Sequence, residues 1–74
     1  MENKFGERLK ELRLSKHIKQ TEMADIMNIT SRTYQRYESD AIDIPSSKLI
    51  FIADYFNVSL DYLVGRTDNP NINK

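Results

Sequence analysis

Residues 28–38, NITSRTYQRYE, concentrate side chains that can form paired hydrogen bonds. An arginine guanidinium can donate to both N7 and O6 of a guanine, and a glutamine amide can bond N6 and N7 of an adenine. Arg32, Gln35 and Arg36 lie close together here, in a chain whose formal net charge is zero. What these side chains can do depends on the element that presents them and on whether they share one face.

A helix over residues 31–38 divides this stretch into two faces. Because an α-helix turns about 100° per residue, placing Ser31 at 0° puts Gln35 at about 40° and the two arginines at about 100° and 140°. Tyr34 and Tyr37 then fall on the opposite side. The predicted outward face therefore consists of Ser31, Arg32, Gln35 and Arg36. Taken alone, a polar face of this kind is more often an ordinary solvated surface.

The residues before this helix predict a second helix that crosses it over a short turn. Counting from Gln20 as the first position, Ala24 is fifth and Asn28 is ninth. A steep crossing needs a small residue at the closest approach, and the turn needs a residue that tolerates positive φ, for which asparagine ranks after glycine. Tyr34 and Tyr37 then return aromatic rings to the core. This joint spacing is typical of a helix-turn-helix, whose second helix projects from the body of the domain.

Helical periods continue through the rest of the chain, and no stretch alternates as a strand would. The prediction is an all-α domain of five helices, at about residues 4–16, 20–27, 31–38, 46–56 and 60–64. Expected N-caps are Asn3, Thr30, Ser46 and Ser59, and expected left-handed exits are Asn57 and Gly65. Residues 1–66 form the predicted domain, and the polar residues 67–74 are predicted to be a flexible tail or linker.

The composition argues against several classes of protein. The 74 residues include no cysteine and one histidine, so neither a disulfide nor a zinc centre is expected. The sequence contains no nucleophile–base set and no phosphate-cradling glycine loop, so the chain is not expected to be an enzyme, and no cofactor is predicted. Without a signal peptide or a long apolar run, it is predicted to be soluble and cytoplasmic, with no membrane contact.

Charge is unevenly distributed along this neutral chain. Residues 1–37 carry eight basic and five acidic side chains, whereas the remainder carries three basic and six acidic ones. An excess of positive charge in the N-terminal half suits a surface that meets an anion. The alternative is chance in a short chain, and charge alone does not decide between the two.

Three blocks of the sequence resemble a known family in order and in spacing. FGERLKELR, KQTEMADIMNITSRTYQRYE and IPSSKLIFIADYFNVSLDYLVG are similar to the signature blocks of Xre/Cro, phage-repressor-type helix-turn-helix domains. The resemblance covers about residues 4–66. It implies a compact five-helix, phage-repressor-like fold with the helix-turn-helix at the second and third helices, sequence-specific binding to double-stranded DNA, and usually a homodimer.

The resemblance and the chemistry of the major groove together predict which residues contact DNA. Arg32 and Arg36 are the leading base contacts, followed by the two other residues of the outward face. Residues expected to contact phosphates are Lys19, Gln20, Thr30, Ser39 and Lys48. Gln20 could instead help to cap its helix, and Lys48 could be an ordinary surface residue.

Arg13 and Glu38 resemble a family pair that ties the first helix to the end of the third. We therefore expect Arg13 to be structural, because removing one partner of a partly buried ion pair leaves the other charge uncompensated. The loop at residues 39–45, SDAIDIP, departs from the family, whose members often carry basic residues there to probe the minor groove. Specificity is therefore expected to rest on the third helix.

Apolar residues beyond what one small core needs predict a partner surface. Ile26 falls where the family is usually polar, and Ile50 and Phe51 widen the apolar stripe of the fourth helix. The predicted homodimer interface consists of Ile50 and Phe51 with the fifth-helix residues Leu60, Tyr62 and Val64. Two-fold pairing would space the recognition helices about 34 Å apart and predicts an inverted-repeat operator. The alternative is that these are ordinary exposed hydrophobic side chains.

Two functions of different classes follow from the sequence. The first is a DNA-binding transcriptional regulator, expected to be a repressor. The second is a protein-interaction module of antitoxin or adaptor type, which the acidic C-terminal half and the surplus apolar residues would suit. Whether the chain continues into a further domain is left open.

Overall fold

The computed structural model describes residues 5–71, and within this range the chain forms five α-helices and no strand. The helices are α1 (Phe5–Ser15), α2 (Gln20–Met27), α3 (Ser31–Glu38), α4 (Ser46–Phe56) and α5 (Leu60–Leu63). The all-α, five-helix prediction is confirmed, with each described boundary within about a residue of its expected place. The predicted N-cap Asn3 lies outside the described residues.

One apolar core is shared by all five helices. Its fully buried side chains include one from each helix in turn: Leu9, Met23, Tyr34, Ile52 and Leu63. Burying an aliphatic or aromatic side chain of this size contributes roughly 1.5–3 kcal/mol, so each helix is docked by at least one such contact. The short α3 is therefore fixed through its aromatic side and not through its polar side.

The described helices all end in the same way. One or two positions beyond the end of each helix, one residue adopts a positive φ between 56° and 85°. These residues are His17, Asn28, Asp40, Asn57 and Gly65. The amide that follows each of them bonds the carbonyl five positions earlier, at 2.8–3.2 Å, which is the Schellman arrangement. The exits at Asn57 and Gly65 were expected from residue type, whereas those at His17 and Asp40 were not.

The helix beginnings follow the predicted caps with one exception. The hydroxyl of Thr30 accepts from the amide of Thr33, and that of Ser59 accepts from the amide of Tyr62. Ser46, predicted as the N-cap of α4, is instead its first helical residue, and Pro45 occupies the cap position. The proline ring holds the extended entry at φ −60°, so a side-chain cap is replaced by a backbone constraint.

Residues 67–70 lie against the helices, although the sequence predicts a flexible tail there. The buried guanidinium of Arg8 donates to the carbonyls of Tyr62 at 2.8 Å and Thr67 at 2.6 Å, and pairs with the carboxylate of Asp68. The amide of Ser59 donates to the carbonyl of Pro70 at 2.9 Å. The partners in these contacts are backbone carbonyls and one buried cation. Because no apolar side chains are involved, the sequence shows no apolar pattern that would predict the contacts. The boundary at residue 66 stays a prediction.

Candidate nucleic-acid interface

The turn between α2 and α3 occupies only three residues, 28–30. Asn28 takes the left-handed conformation at φ 57°, and Ile29 follows with its amide bonded to the carbonyl of Ala24 at 3.0 Å. Ala24 itself is 1% exposed, as a small residue between two closely crossing helices should be. Thr30 then caps α3. The turn therefore has the left-handed asparagine, the buried small residue and the threonine cap that its sequence predicts.

α3 separates a docked side from a free side. Tyr34 is fully buried and Tyr37 is 5% exposed, so both rings anchor the helix in the core. Arg32, Gln35 and Arg36 are exposed, and their side chains form no hydrogen bond or ion pair with any other residue between 5 and 71. Three long donor side chains thus project together from one helix face, without a partner in the described part of the chain.

Ser31 is placed differently from the rest of the predicted reading face. It is the first residue of α3 and is half-buried, whereas the longer side chains are exposed. Its amide belongs to the first turn of the helix, where N–H groups lack intrahelical acceptors. The position suits a hydrogen bond to a phosphate as well as one to a base.

The C-terminal end of α3 is tied to α1 and α2 by a charged cluster. Arg13 Nε donates to Glu38 Oε2 at 2.6 Å, and Gln20 Nε2 donates to Glu38 Oε1 at 3.0 Å. Arg13 also donates to the carbonyl of Ile18 at 2.7 Å, so its guanidinium links three segments. The Arg13–Glu38 pair expected from the sequence is therefore in direct contact, with both side chains nearly inaccessible at 8% and 6% exposure.

Electrostatics in this cluster favours the ionised pair. Burial of Glu38 favours the neutral acid, but hydrogen bonds from Arg13 and Gln20 outweigh it and hold the pKa of that carboxyl below its ordinary value. The hydrogen bond with Glu38 raises the pKa of Arg13. Burial, and then the neighbouring carboxylate, raise the pKa of the Tyr34 phenol well above its usual range. At neutral pH the cluster therefore holds one cation, one anion and a neutral phenol.

The five predicted phosphate contacts divide into engaged and available side chains. Lys48 donates to the carbonyl of Met27 at 2.9 Å, which satisfies the C-terminal end of α2, and Gln20 is bonded to Glu38. The hydroxyls of Thr30 and Ser39 also have bonds within the chain, to Thr33 and to the carbonyl of Arg36. The ammonium of Lys19, just before α2, is exposed and has no partner among residues 5–71.

A second surface, formed by α4 and α5, is apolar. Ile50 and Phe51 are 50% and 39% exposed, and Leu60 is 43% exposed. The first of these and Leu60 line a groove of about 320 Å³, whose other lining residues are Ala53, Asp54, Val58, Ser59 and Asp61. Tyr55, which the sequence reasoning did not select, adds to this surface by stacking on Phe51 with ring centroids 6.0 Å apart. Its position four residues after Phe51 was the available signal.

Two residues assigned to the dimer interface lie elsewhere. The ring of Tyr62 is half-buried beneath Arg8, whose guanidinium carbon lies 4.1 Å from the ring centroid. Val64 is half-buried and lines a separate pocket with Phe5 and Leu49. Neither side chain joins the α4–α5 groove. Tyr62 lies in the single turn of α5 and Val64 follows it as the C-cap residue.

The remaining titratable groups show no arrangement for metal chemistry. Within residues 5–71, no group of three His, Asp or Glu side chains is placed to hold a metal ion.

None of the helices in the same range has both the length and the apolar character needed to cross a bilayer.

Comparison with known proteins identifies relatives over most of the chain. A helix-turn-helix family model matches residues 9–63. Among curated relatives in Bacillus subtilis, the uncharacterized HTH-type transcriptional regulator YobD is 32% identical over 67 residues, covering 90% of this chain and 60% of the relative. The HTH-type transcriptional regulator ImmR is 36% identical over 64 residues, covering 86% and 50%. The SPbeta prophage-derived regulator YonR is 38% identical over 63 residues, covering 85% and 58%.

A solved structure agrees with the fold. The crystal structure of a transcriptional regulator from Listeria innocua superposes with a TM-score of 0.82 at 34% identity, over 88% of this chain and 61% of that one. The chain thus spans between half and about three fifths of the length of these relatives. All of them are named as transcriptional regulators, in agreement with the prediction that this domain is not an enzyme.

Proposed function

Because this chain belongs to the Xre-like helix-turn-helix family, we propose that it is the DNA-binding domain of a transcriptional regulator and reads the major groove through α3. One observation carries the proposal: Arg32, Gln35 and Arg36 are exposed and unpaired within the described chain on a helix whose opposite side is buried. Unpaired guanidinium groups at a structured surface suit an acceptor-rich partner, and guanine edges and phosphates both provide paired acceptors.

The roles of the side chains follow from their geometry. Arg32 and Arg36 are proposed to read base edges, with Gln35 as a further base contact and Ser31 at a base or a nearby phosphate. Lys19 is proposed as a phosphate contact, because this exposed residue directly precedes the first turn of α2, whose amides lack intrahelical acceptors. Thr30 and Ser39 are proposed as further phosphate contacts, because both residues are exposed and carry hydroxyls.

Two predicted phosphate contacts have a different role in this proposal. Lys48 already neutralises the C-terminal end of α2 through the carbonyl of Met27, so its loss should destabilise the fold before it weakens DNA binding. Gln20 is bonded to Glu38 and is proposed to act both as a brace for α3 and as a phosphate contact at the start of α2.

A homodimer on an inverted-repeat operator, acting as a repressor, completes the proposal. The exposed apolar side chains of Ile50, Phe51 and Leu60 support self-association through α4 and α5. A two-fold interface centred on this groove would bring the acidic side chains that line it, Asp54 and Asp61, close to those of the other copy. Adding salt should therefore strengthen the dimer while it weakens the complex with DNA. DNA binding in this form also suits the predicted cytoplasmic location.

Selection of bound duplexes from a random DNA pool, followed by titration at several salt concentrations, tests this function. We expect an enriched inverted repeat, and an association constant whose logarithm falls linearly with the logarithm of salt at about −0.9 per phosphate neutralised. The proposal would be contradicted if the protein enriched no DNA sequence and if its association constant did not change with salt. That outcome, combined with tight binding of a protein through α4, would instead favour the interaction-module alternative.

A further inference from the structure

Asp40 adopts a backbone conformation that its residue type does not favour. It lies just beyond α3 at φ 59°, in the position of the Schellman exit that glycine usually fills. The amide of Ala41 closes that exit by bonding the carbonyl of Arg36 at 3.0 Å. Aspartate adopts the left-handed region more readily than most residues but less readily than glycine, and a hydrogen bond from its side chain can offset the difference.

The compensating contact is a hydrogen bond to another helix. Asp40 Oδ1 accepts from the backbone amide of Gly6 at 3.0 Å, across 34 positions of sequence. Gly6 lies in the first turn of α1, where amides have no acceptor within their own helix and the helix dipole attracts a negative charge. The carboxylate thus caps α1 from the end of α3.

Gly6 is the complementary half of this contact. A Cβ atom at position 6 would lie 2.2 Å from the carbonyl oxygen of Glu38 and 2.8 Å from Asp40 Oδ2. The backbone of α1 therefore approaches the last residue of α3 more closely than any side chain would permit. The short distance to the Glu38 carbonyl requires glycine at this point, whereas the hydrogen bond requires only a backbone amide.

From these contacts we propose that Asp40 is a positioning residue that locks the recognition helix to α1 and thereby sets how accurately α3 reads DNA. The inference rests on the proposed function and concerns a residue that does not itself reach a base. α3 has eight residues, too few to be stable or to hold a direction without tertiary contacts. Two carboxylates hold its C-terminal end: Glu38 binds Arg13 and Gln20, and Asp40 binds α1.

The two carboxylates restrain different movements. Glu38 ties α3 to the end of α1 and to the start of α2, whereas Asp40 ties it to the start of α1. With the second tie removed, α3 can pivot about the Glu38 cluster. A pivot shifts the arginines of α3, and Arg32 furthest because it lies six residues before Glu38, relative to bases whose paired hydrogen bonds tolerate little misalignment. Phosphate contacts made by flexible side chains adapt more readily.

The test compares two substitutions at this one position. Asp40→Gly removes the carboxylate while keeping the preferred residue for a left-handed exit, so α3 can still end normally. Asp40→Asn removes the charge but retains an acceptor and tolerates the same φ. Two controls match these changes: Asn57→Gly places glycine at the exit of α4, and Asp43→Ala removes a carboxylate from the same loop. The side chains of Asn57 and Asp43 have no partner among the described residues.

The measured quantity is the ratio of affinities for the selected duplex and an unrelated duplex, well below the unfolding temperature and at fixed salt. We expect Asp40→Gly to lower this ratio about tenfold, the effect of misaligning one paired base contact, with non-specific affinity unchanged or slightly higher. Asp40→Asn and both controls should keep the wild-type ratio. In the free protein, the Gly6 amide should exchange with solvent faster in Asp40→Gly than in Asp40→Asn.

Two outcomes would overturn the inference while leaving the proposed function intact. One is an unchanged ratio in Asp40→Gly, which would make Asp40 a merely structural cap. The other is an equal loss in Asp40→Asn, which would make the charge and not the hydrogen bond responsible. A wild-type protein that shows no preference for any duplex would overturn the proposed function, and this inference with it.

Discussion

The outer faces of α3 and α4 both carry side chains that the core does not use, but the chemistry of these side chains differs. On α3 they are unpaired long donors, Arg32, Gln35 and Arg36. On α4 the exposed side chains are aliphatic and aromatic, including Ile50 and Phe51. A free cation at a surface is satisfied by an anion, whereas an exposed apolar group gains free energy by leaving water. The two helices are therefore suited to different partners, one to nucleic acid and one to protein.

The two helices are also held differently. α3 is short, and besides the buried rings of Tyr34 and Tyr37 it is tied at its C-terminal end by hydrogen-bonded carboxylates, those of Glu38 and Asp40. α4 is longer and is held mainly by its buried side chains Ile52, Ala53 and Phe56. Directional hydrogen bonds define orientation more sharply than apolar contact does. A helix that must align with base edges needs a more narrowly defined orientation than a helix that offers an apolar surface to a protein.

The largest expected effect comes from breaking the charged anchor of α3. Arg13→Ala should lower the free energy of unfolding by about 3–5 kcal/mol, because Glu38 would remain buried without its main partner. Denaturant titration followed by circular dichroism measures the change. Arg66→Ala is the matched control, since that arginine meets Asp61 only at 3.8 Å on the surface, and its loss should cost less than about 1 kcal/mol. Equal effects in the two variants would show that the anchor does not stabilise α3.

The next effect concerns the outer face of α3 and should leave the fold intact. Arg36→Ala or Arg32→Ala should weaken binding to the selected duplex by about 1–3 kcal/mol and relax preference at one base pair. Lys10→Ala, which removes an exposed charge from α1, should lower affinity for all duplexes slightly and alike. If both arginine variants keep the wild-type site preference, the assignment of the reading face is wrong.

The outer face of α4 is tested by placing a charge on it. Ile50→Asp should weaken self-association about tenfold or more, since it removes roughly 1–2 kcal/mol of apolar burial and adds an acid beside Asp54. Analytical ultracentrifugation reports the dimer dissociation constant. Ile42→Asp, at a similarly exposed isoleucine in the loop before α4, serves as the control. Comparable dimer strength in both variants would place the interface elsewhere.

The smallest expected effect is the dependence of stability on pH through Glu38. Its pKa is below the ordinary value in the folded chain, so the ionised carboxylate stabilises the fold above the unfolded-state pKa, near 4.3. That contribution is lost as pH falls through the lower folded-state pKa. Unfolding free energies measured across this acid range should fall more steeply for the wild type than for Glu38→Gln. Parallel curves would mean that other carboxyls dominate the acid response.

Most of the fold was predictable because local patterns and tertiary structure agree. The apolar spacing in α1, α2 and α4 selects the residues that are buried, including Leu9, Met23 and Ile52. Asn57 and Gly65 mark helix exits by residue type, and Thr30 and Ser59 mark helix starts. In a helical domain of short connections, such local signals account for nearly all of the chain path.

The sequence predicts the exposed face of the candidate site, but it predicts less well the intramolecular contacts of the surrounding residues. Helical periodicity assigns Arg32, Gln35 and Arg36 to one side whatever their surroundings, because periodicity is a property of the helix alone. Lys48 and Tyr62 were assigned to partners outside the chain, yet their partners lie within it, on Met27 and Arg8. Such contacts join distant positions, and residue type does not reveal which acceptor lies within reach.

By itself the sequence determined five helices, a helix-turn-helix and a polar face on α3, because these follow from residue type and spacing over a few turns. Only the tertiary structure decided that Asp40 caps α1, that Gly6 is required for close approach, and that Arg8 holds residues 67 and 68. Each of these contacts pairs groups at least 32 positions apart. Their partners become neighbours only once the core has formed, so no local pattern encodes them.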